Sequence, residues 1–386
     1  MTHLPAWAEW RARPSNGELT IGIEDEFMLL DPVDWSLAYR SDDVLASLPD
    51  DLRGRVTLET HAAVMEVATG VHSRAGDAVT ELAQLRDRVA RALAAQGLRP
   101  AVAGTHPSAV ACAAPLPSHP RYSHIDDSMR VLARREPTLA MHVHVGVATP
   151  ERAIRLLNRL RAHLPLLLAV SANSPFWRGL PTGFASTRTT LFDAFPRSGL
   201  PRRFRDYGDW VATVERLLCS RAIPDPSFLW WDVRLQPRYG TVEIRIMDGQ
   251  SCVEDVTALA ALVQALASVE LDRGDDLEPE PRTTELIEEN RFLAARDGMA
   301  ALLIDLRSGE RVPAAEQLER VLGDCRPHAR RLGCGRELAS VGRLAGMNGA
   351  VRQLAHDGDL RRLTARLADV YWPLARREPT AAAIAC

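Results

Sequence analysis

The stretch Thr20–Asp31, TIGIEDEFMLLD, constrains the fold more than any other. Three consecutive acids, Glu24, Asp25 and Glu26, lie between the apolar residues Ile21, Ile23, Phe27, Met28, Leu29 and Leu30. Such a run reads as a strand. Side chains alternate along a strand, so Glu24 and Glu26 share one face and Asp25 takes the other. Two carboxylates roughly 7 Å apart in an apolar strand repel each other, and burial raises their pKa values. A fold that buries this strand must therefore place arginines or metal ions opposite it. At a sheet edge the same acids would only be solvated.

Other stretches repeat the pattern of one polar and one apolar face. Arg55–Thr69 reads as strand, bend and strand and carries Glu59 and Glu66. Their odd spacing puts them on opposite faces of a regular strand, so a bulge near residues 60–62 is needed to unite them. In Thr138–Val147, TLAMHVHVGV, His142 and His144 share a face. Ser227–Pro237 and Thr241–Met247 read as a hairpin in which Glu243 and Arg245 share a face. Helices are expected over Asp42–Leu48, Asp77–Gln96, Asp126–Arg135, from Pro150 to about Leu168, Asp209–Ser220 and Glu254–Asp272. Thr149-Pro150-Glu151 is a strong helix start. Thr105–Tyr122 is a long, Pro-rich loop of the kind that often carries function. From Thr283 onward the chain reads as almost entirely helical. Strands interleaved with helices and hairpin returns give an α+β fold on a mainly antiparallel sheet.

A chain of 386 residues accommodates two domains. The acidic, Pro-rich stretch 274–282 marks the expected boundary. It separates a catalytic region, 1–273, from a helical C-terminal region, 283–380, packed on it; one continuous domain is the alternative. The net charge of −3 offers no field for nucleic acid. Lysine is absent, which excludes a Walker P-loop, a protein-kinase site and a Schiff-base enzyme. The six cysteines form no C-x-x-C pair, so reduced thiols are expected. The start MTHLPAWAEW lacks a basic segment and an apolar core, and no apolar run reaches the ~18 residues of a membrane span. These features point to a cytoplasmic protein without membrane attachment. The apolar helices suggest self-association, as a homodimer.

Four polar faces, offering Glu24 and Glu26, Glu59 and Glu66, His142 and His144, and Glu243 with Arg245, suggest one cavity over a sheet. Carboxylates dominate it, so Mg²⁺ or Mn²⁺ bound with phosphate suits it better than zinc. Arg245 keeps its charge and can hold a phosphate or carboxylate oxygen. Each feature has a plainer reading. An H-x-H strand is often a partly exposed face, Glu243 and Arg245 can be a simple ion pair, and Trp230 and Trp231 can be core residues. His142 and His144 alone also permit a metal-dependent hydrolase. That reading needs further ligands, and the later chain offers only Glu243, Asp248, His328 and His356.

The chain also resembles the bacterial glutamate–cysteine ligase type 2 family, or carboxylate–amine ligases, which are similar to glutamine synthetase. The resemblance covers nearly the whole chain. It rests on TIGIEDEFMLLD, AVAGTHP, HVHVGV, LPLLLAVSANSPFWRG with TGFASTR, and LWWDVRLQPRYGTVEIRIMD. It implies a curved antiparallel sheet with helices outside, and ATP with two or three Mg²⁺ ions inside. It implies metal-binding roles for Glu24, Glu26, Glu59, Glu66 and Glu243, with His144 as a further ligand or phosphate contact. Arg245 becomes the phosphate-facing arginine, and Arg245 and Glu26 the catalytic pair. Trp231 joins Arg245 and His144 as a nucleotide contact. Asn173, Ser174 and Arg188 fall where an amino-acid substrate is expected. The implied reaction is ATP-dependent amide formation through an acyl phosphate, between small-molecule carboxylate and amine substrates. A relative that binds nucleotide without turnover is the alternative. The chain has Glu-Asp-Glu where the family often has three glutamates, and LETHAAVMEV around Glu59 departs further from the usual pattern.

Overall fold

In the computed structural model, which describes residues 4–12, 17–110, 113–273 and 284–372, the acidic strand lies inside the main sheet rather than at its edge. We label the strands of that sheet β1 (Ile21–Leu30), β2 (Val56–Leu58), β3 (Val64–Ala68), β4 (Arg99–Ala101), β5 (Met141–Gly146), β6 (Val233–Gln236) and β7 (Thr241–Ile244). Among the described residues the order is β6-β7-β5-β1-β3-β2, with β4 also paired to β1, and every pairing is antiparallel. The expected α+β class and antiparallel sheet are what the structure has.

Register aligns the two faces of neighbouring strands. Ile23 lies opposite Val143, and Val143 opposite Ile244. This apolar face packs on helices Ala75–Ala94 and Val253–Asp272. Leu82, Leu85, Val89 and Leu93 follow helical spacing on the first of these. The second is buried along most of its length. Helix Ala314–Leu332 packs on it in turn, and Leu318 and Leu322 belong to the same apolar cluster as Leu259 and Leu262. The core therefore runs continuously from the sheet into the C-terminal helices.

Several elements differ from expectation, each with a local cause. The helix beginning at Pro150 ends at Leu160, and a second runs over Leu164–Ser171 after a 3-10 turn. Pro165 lacks the N–H of a continuing ladder and its ring crowds the preceding turn. The helix expected over 126–135 is instead Pro120–Met129, followed by a 3-10 turn. Its N-cap is His119, whose Nδ1 accepts from the Arg121 N–H, a cap that a search for Ser, Thr, Asp or Asn misses. The strand expected over 227–237 changes partner midway. Trp230–Trp231 pairs with Ser198–Gly199, and β6 pairs with β7. The C-terminal region contains a small hairpin, Leu302–Ile304 with Arg311–Pro313, among its helices. The boundary expected at 274–282 lies outside the described residues. Cys219, Cys252, Cys325 and Cys334 are free thiols, and no helix among the described residues is long and apolar enough to cross a membrane.

Candidate active site

The polar faces of five strands coincide. Glu24 of β1 lies opposite His142 of β5, and Glu26 opposite Glu66 of β3. His144 lies opposite Glu243 of β7, and Glu243 opposite Arg234 of β6. Alternation along each strand thus becomes a continuous polar surface across the sheet. Glu59 arrives from the bend between β2 and β3, and Arg188 from the short helix Thr187–Phe192.

His142 is the central group. Its Nδ1 lies 3.1 Å from Glu24, 3.7 Å from Glu66 and 3.9 Å from Glu243, and its Nε2 lies 3.6 Å from Glu26. His144 lies 3.2 Å from Glu24, while its Nδ1 meets the Thr241 hydroxyl at 2.9 Å. Glu243 accepts two hydrogen bonds from Arg234, at 2.7 and 3.1 Å, one from Gln236 at 2.7 Å, and one from Arg245. Two groups, Glu24–His142–Glu243 and Glu26–Glu66–His142, each offer three ligand atoms within 4.8 Å of one another.

The carboxylates divide by what faces them. Burial raises Glu243, but Arg234, Arg245 and the two histidines outweigh it and hold the group well below its ordinary range. Burial likewise opposes ionisation of Glu24, and His144 and His142 overcome it. Glu26 is pushed up to about 8 by burial and by Glu59, despite Arg188, Arg245 and a 2.6 Å hydrogen bond from the Ala140 N–H. Burial and the neighbouring glutamates raise Glu66 well above its ordinary value, and burial raises Glu59. His142 falls to about 4 through burial and Arg245. One end of the cluster is neutralised by arginine; at the Glu26–Glu59–Glu66 end burial and mutual repulsion disfavour ionisation, and the nearby arginines do not offset them.

Three cavities meet this surface. One of about 770 Å³ lies beside Gly22, Glu24, Gly70, His144, Tyr239 and Thr241. A second of about 620 Å³ opens over Glu24, Glu59, Glu66, Arg121, Arg234 and Arg245. A third of about 50 Å³ is bounded by Glu26, Glu59, His61, Arg188, Trp230 and Arg245, among others.

The structure brings together Glu24, Glu26, Glu59, Glu66, His142, His144, Glu243, Arg245 and Arg188. It places three expected contacts elsewhere. Trp231 packs toward Phe204 and lines none of these cavities, whereas Trp230 lines two. Successive strand residues face opposite ways, so only one of the pair can reach the site. Asn173 and Ser174 are fully buried and serve the framework. The Asn173 side chain donates to the Gly249 carbonyl at 2.7 Å, and the Ser174 hydroxyl to Asp248 at 2.7 Å. Asp248 is occupied by these partners, by the Ser186 hydroxyl and by Arg188 at 3.8 Å. His328 meets Ser268, and His356 meets Asp357. None of these three completes a histidine-based metal site with His142 and His144.

Arg234 and Gln236 were not anticipated as site residues. They alternate with Val233 and Leu235, so the polar face of β6 was visible in the sequence once its pairing with β7 was assumed. Arg121 and His61 carry no such signal, because each reaches the site from irregular backbone or a helix start.

Residues 20–366 match the profile of glutamate–cysteine ligase family 2. A Rubrobacter xylanophilus protein provisionally named glutamate–cysteine ligase 2-1 is 36% identical over 369 residues, covering 95% of this chain and 98% of its own. A Micrococcus luteus protein provisionally named glutamate–cysteine ligase 2 is 38% identical over 348 residues, covering 88% of this chain and 87% of its own. Among solved structures, Francisella tularensis glutamate–cysteine ligase in complex with AMP matches with a TM-score of 0.67 at 11% identity, over 96% of this chain and 91% of that one. A bifunctional glutathione synthetase from Pasteurella multocida matches with a TM-score of 0.65 at 14% identity, over 92% of this chain but 52% of that longer one. At these identities the two structures establish a common fold.

Proposed function

The chain belongs to glutamate–cysteine ligase family 2, the carboxylate–amine ligases, and from that premise we propose that it forms an amide through an acyl phosphate, with glutamate as donor and cysteine as acceptor. The carrying observation is the unbalanced glutamate end of the cluster. Glu26 and Glu59 line the inner cavity, and Glu59 and Glu66 the 620 Å³ cavity beside it, where the nearby arginines supply too little positive charge for all three to ionise. Oxygen donors in this number suit a hard divalent cation. Glu24, His142 and Glu243 would hold one such ion, and Glu26 and Glu66, with Glu59 beside them, another. Bound Mg²⁺ or Mn²⁺ would screen the phosphate oxygens of ATP and polarise the γ-phosphate.

In the proposed reaction the donor carboxylate oxygen attacks the γ-phosphorus. The bond to the β-phosphate oxygen breaks, and ADP leaves. The acceptor amine nitrogen then attacks the acyl carbon, loses a proton, and phosphate departs. The protein's own contribution is orientation and fixed charge. Arg245 is anchored at Glu243 with its Nε unpartnered, and it borders both the 620 Å³ cavity and its inner neighbour. Arg188 is held by the Ile246 carbonyl at 3.1 Å and also keeps an unpartnered Nε. These arginines suit the carboxylates of an amino acid. The cluster requires no covalent enzyme nucleophile, in keeping with a chain that lacks lysine.

The test is ADP release with Mg²⁺ and ATP that requires both a carboxylate donor and an amine acceptor. Amide product in stoichiometry with ADP is expected. A broad screen of amino acids that gives only background release sinks the reading. Nucleotide binding without product would favour a non-catalytic relative.

A further inference from the structure

We propose that Arg121 binds the free carboxylate of the amine acceptor in the 620 Å³ cavity, and so selects an α-amino acid over a plain amine. This rests on the ligase reading above. Arg121 opens helix Pro120–Met129, where its backbone N–H donates to the His119 cap. Its guanidinium is braced without being neutralised. Nη1 donates to the Ser227 hydroxyl at 2.6 Å and Nη2 to the Ser227 carbonyl at 3.4 Å, and the group lies 4.4 Å over the ring of buried Phe228. Neither neighbour carries negative charge. Among the described residues no carboxylate forms an ion pair with Arg121, whereas Arg234 and Arg245 both pair with Glu243. Its Nε has no partner and, unlike those of Arg188 and Arg245, is not closed to solvent. Arg121 and the Ser227 that holds it both line the 620 Å³ cavity. A half-buried guanidinium fixed in place with donors to spare is a site for a carboxylate.

The cavity's place in the reaction identifies which carboxylate. Arg188 and Arg245 border the inner cavity and suit the donor, whereas Arg121 borders only the outer one and is absent from the 770 Å³ cavity. The outer cavity shares Glu59, Thr60, His142, Trp230 and Arg245 with the inner one, so a molecule in it meets an acyl group formed at their junction. Glu59 and Glu66 line it as well, and the Arg121 charge acts on Glu59. Carboxylates for an ammonium and a guanidinium for a carboxylate, in one cavity, match the two charges of an α-amino acid. The space of about twenty waters is ample for one of cysteine's size. Of the cavity's remaining arginines, Arg11 pairs with Glu9, and Arg238 is exposed over the Tyr239 ring, where solvent screens it.

The test measures amide formation by the full chain with Mg²⁺, ATP and glutamate, offering either cysteine or cysteamine, which lacks only the carboxylate. Wild type is expected to favour cysteine in kcat/KM. In Arg121→Gln that preference should fall at least about tenfold, the loss of a hydrogen-bonded contact to a charged group. The loss should sit in the KM for cysteine rather than in kcat, because the contact is made before and during reaction alike. Arg121→Lys, which keeps the charge but not the planar fork, should retain part of the preference. It also serves if the glutamine variant does not fold. Affinity for a non-hydrolysable ATP analogue with Mg²⁺ should stay within about twofold in both variants, as expected for a group that holds the acceptor and not the phosphates. An unchanged preference, equal weakening of both acceptors, a matching loss of nucleotide affinity, or a wild type that uses the two alike or uses neither overturns the proposal. A wild type that joins glutamate to another amine with ADP release keeps the ligase reading even then, so the two can fail separately.

Discussion

On one face of β1, Asp25 meets a single guanidinium; on the other, Glu24 and Glu26 join three more glutamates around Arg234 and Arg245. Asp25 is fully buried and receives two hydrogen bonds from Arg86, both at 2.8 Å. Arg86 also donates to the Ser251 and Gln250 carbonyls and lies over the Tyr371 ring. Every charge there has a partner, and the pair joins the sheet, helix Ala75–Ala94, the 250–251 loop and the C-terminal helix. The opposite face leaves the Glu26–Glu59–Glu66 end underneutralised and leaves Arg188, Arg245 and His61 with unpartnered nitrogens. The same strand thus carries a closed ion pair for architecture and an open cluster for ligands. Burial of charge is tolerated in the first case by geometry and in the second by what the site is built to receive.

The comparison breaks most visibly on the closed face. Arg86→Leu strands Asp25 in the core and is expected to destabilise the protein by about 3–5 kcal/mol, read by urea unfolding. Asp25→Asn with Arg86→Leu should cost less than the sum of the single changes, because each removes the other's unpaired charge. Additive costs would show that the pair is not coupled. On the open face, Glu26→Gln is expected to lower kcat/KM at least about 100-fold, some 2.7 kcal/mol. Its melting temperature without ligand should hold or rise, since a glutamine oxygen can keep the hydrogen bond from the Ala140 N–H and the buried carboxyl that resists ionisation is gone. Unchanged activity in this variant would remove Glu26 from the site. Saturating Mg²⁺ with an ATP analogue should stabilise wild type by about 2.7 kcal/mol at 100 times Kd, and Glu26→Gln should lose most of that gain. The smallest effect belongs to exposed pairs. Glu316→Ala, which leaves Arg320 on the outer helix with Asp305 as its partner, should shift stability by no more than about 0.5 kcal/mol.

Much of the open face was legible because alternation is local. Glu24, Glu26, His142, His144, Glu243 and Arg245 could be assigned to faces residue by residue, and strand pairing then superimposed those faces. Glu59 required the bend at 59–63 that its spacing only hinted at. Arg188 was expected near substrate on resemblance, and it does reach the cavity. Its neighbours in the same motifs, Asn173 and Ser174, turned inward to hold Asp248 and Gly249. Trp231 was displaced by its neighbour Trp230 through the change of strand partner at Asp232, whose carbonyl accepts from the Arg245 N–H at 2.7 Å.

The sequence by itself determined that this strand carries two acids on one side and one on the other, that no lysine chemistry is available, and that several strands repeat a polar face. These follow from covalent order and the two-residue period of a strand. Only the tertiary structure decided which arginine each acid meets. Arg86 lies 61 positions from Asp25, and Arg188, whose charge acts on Glu26, lies 162 positions from it. A charge's environment is set by burial and by neighbours brought from distant segments, so the difference between a closed ion pair and an open ligand site appears only when the chain is packed.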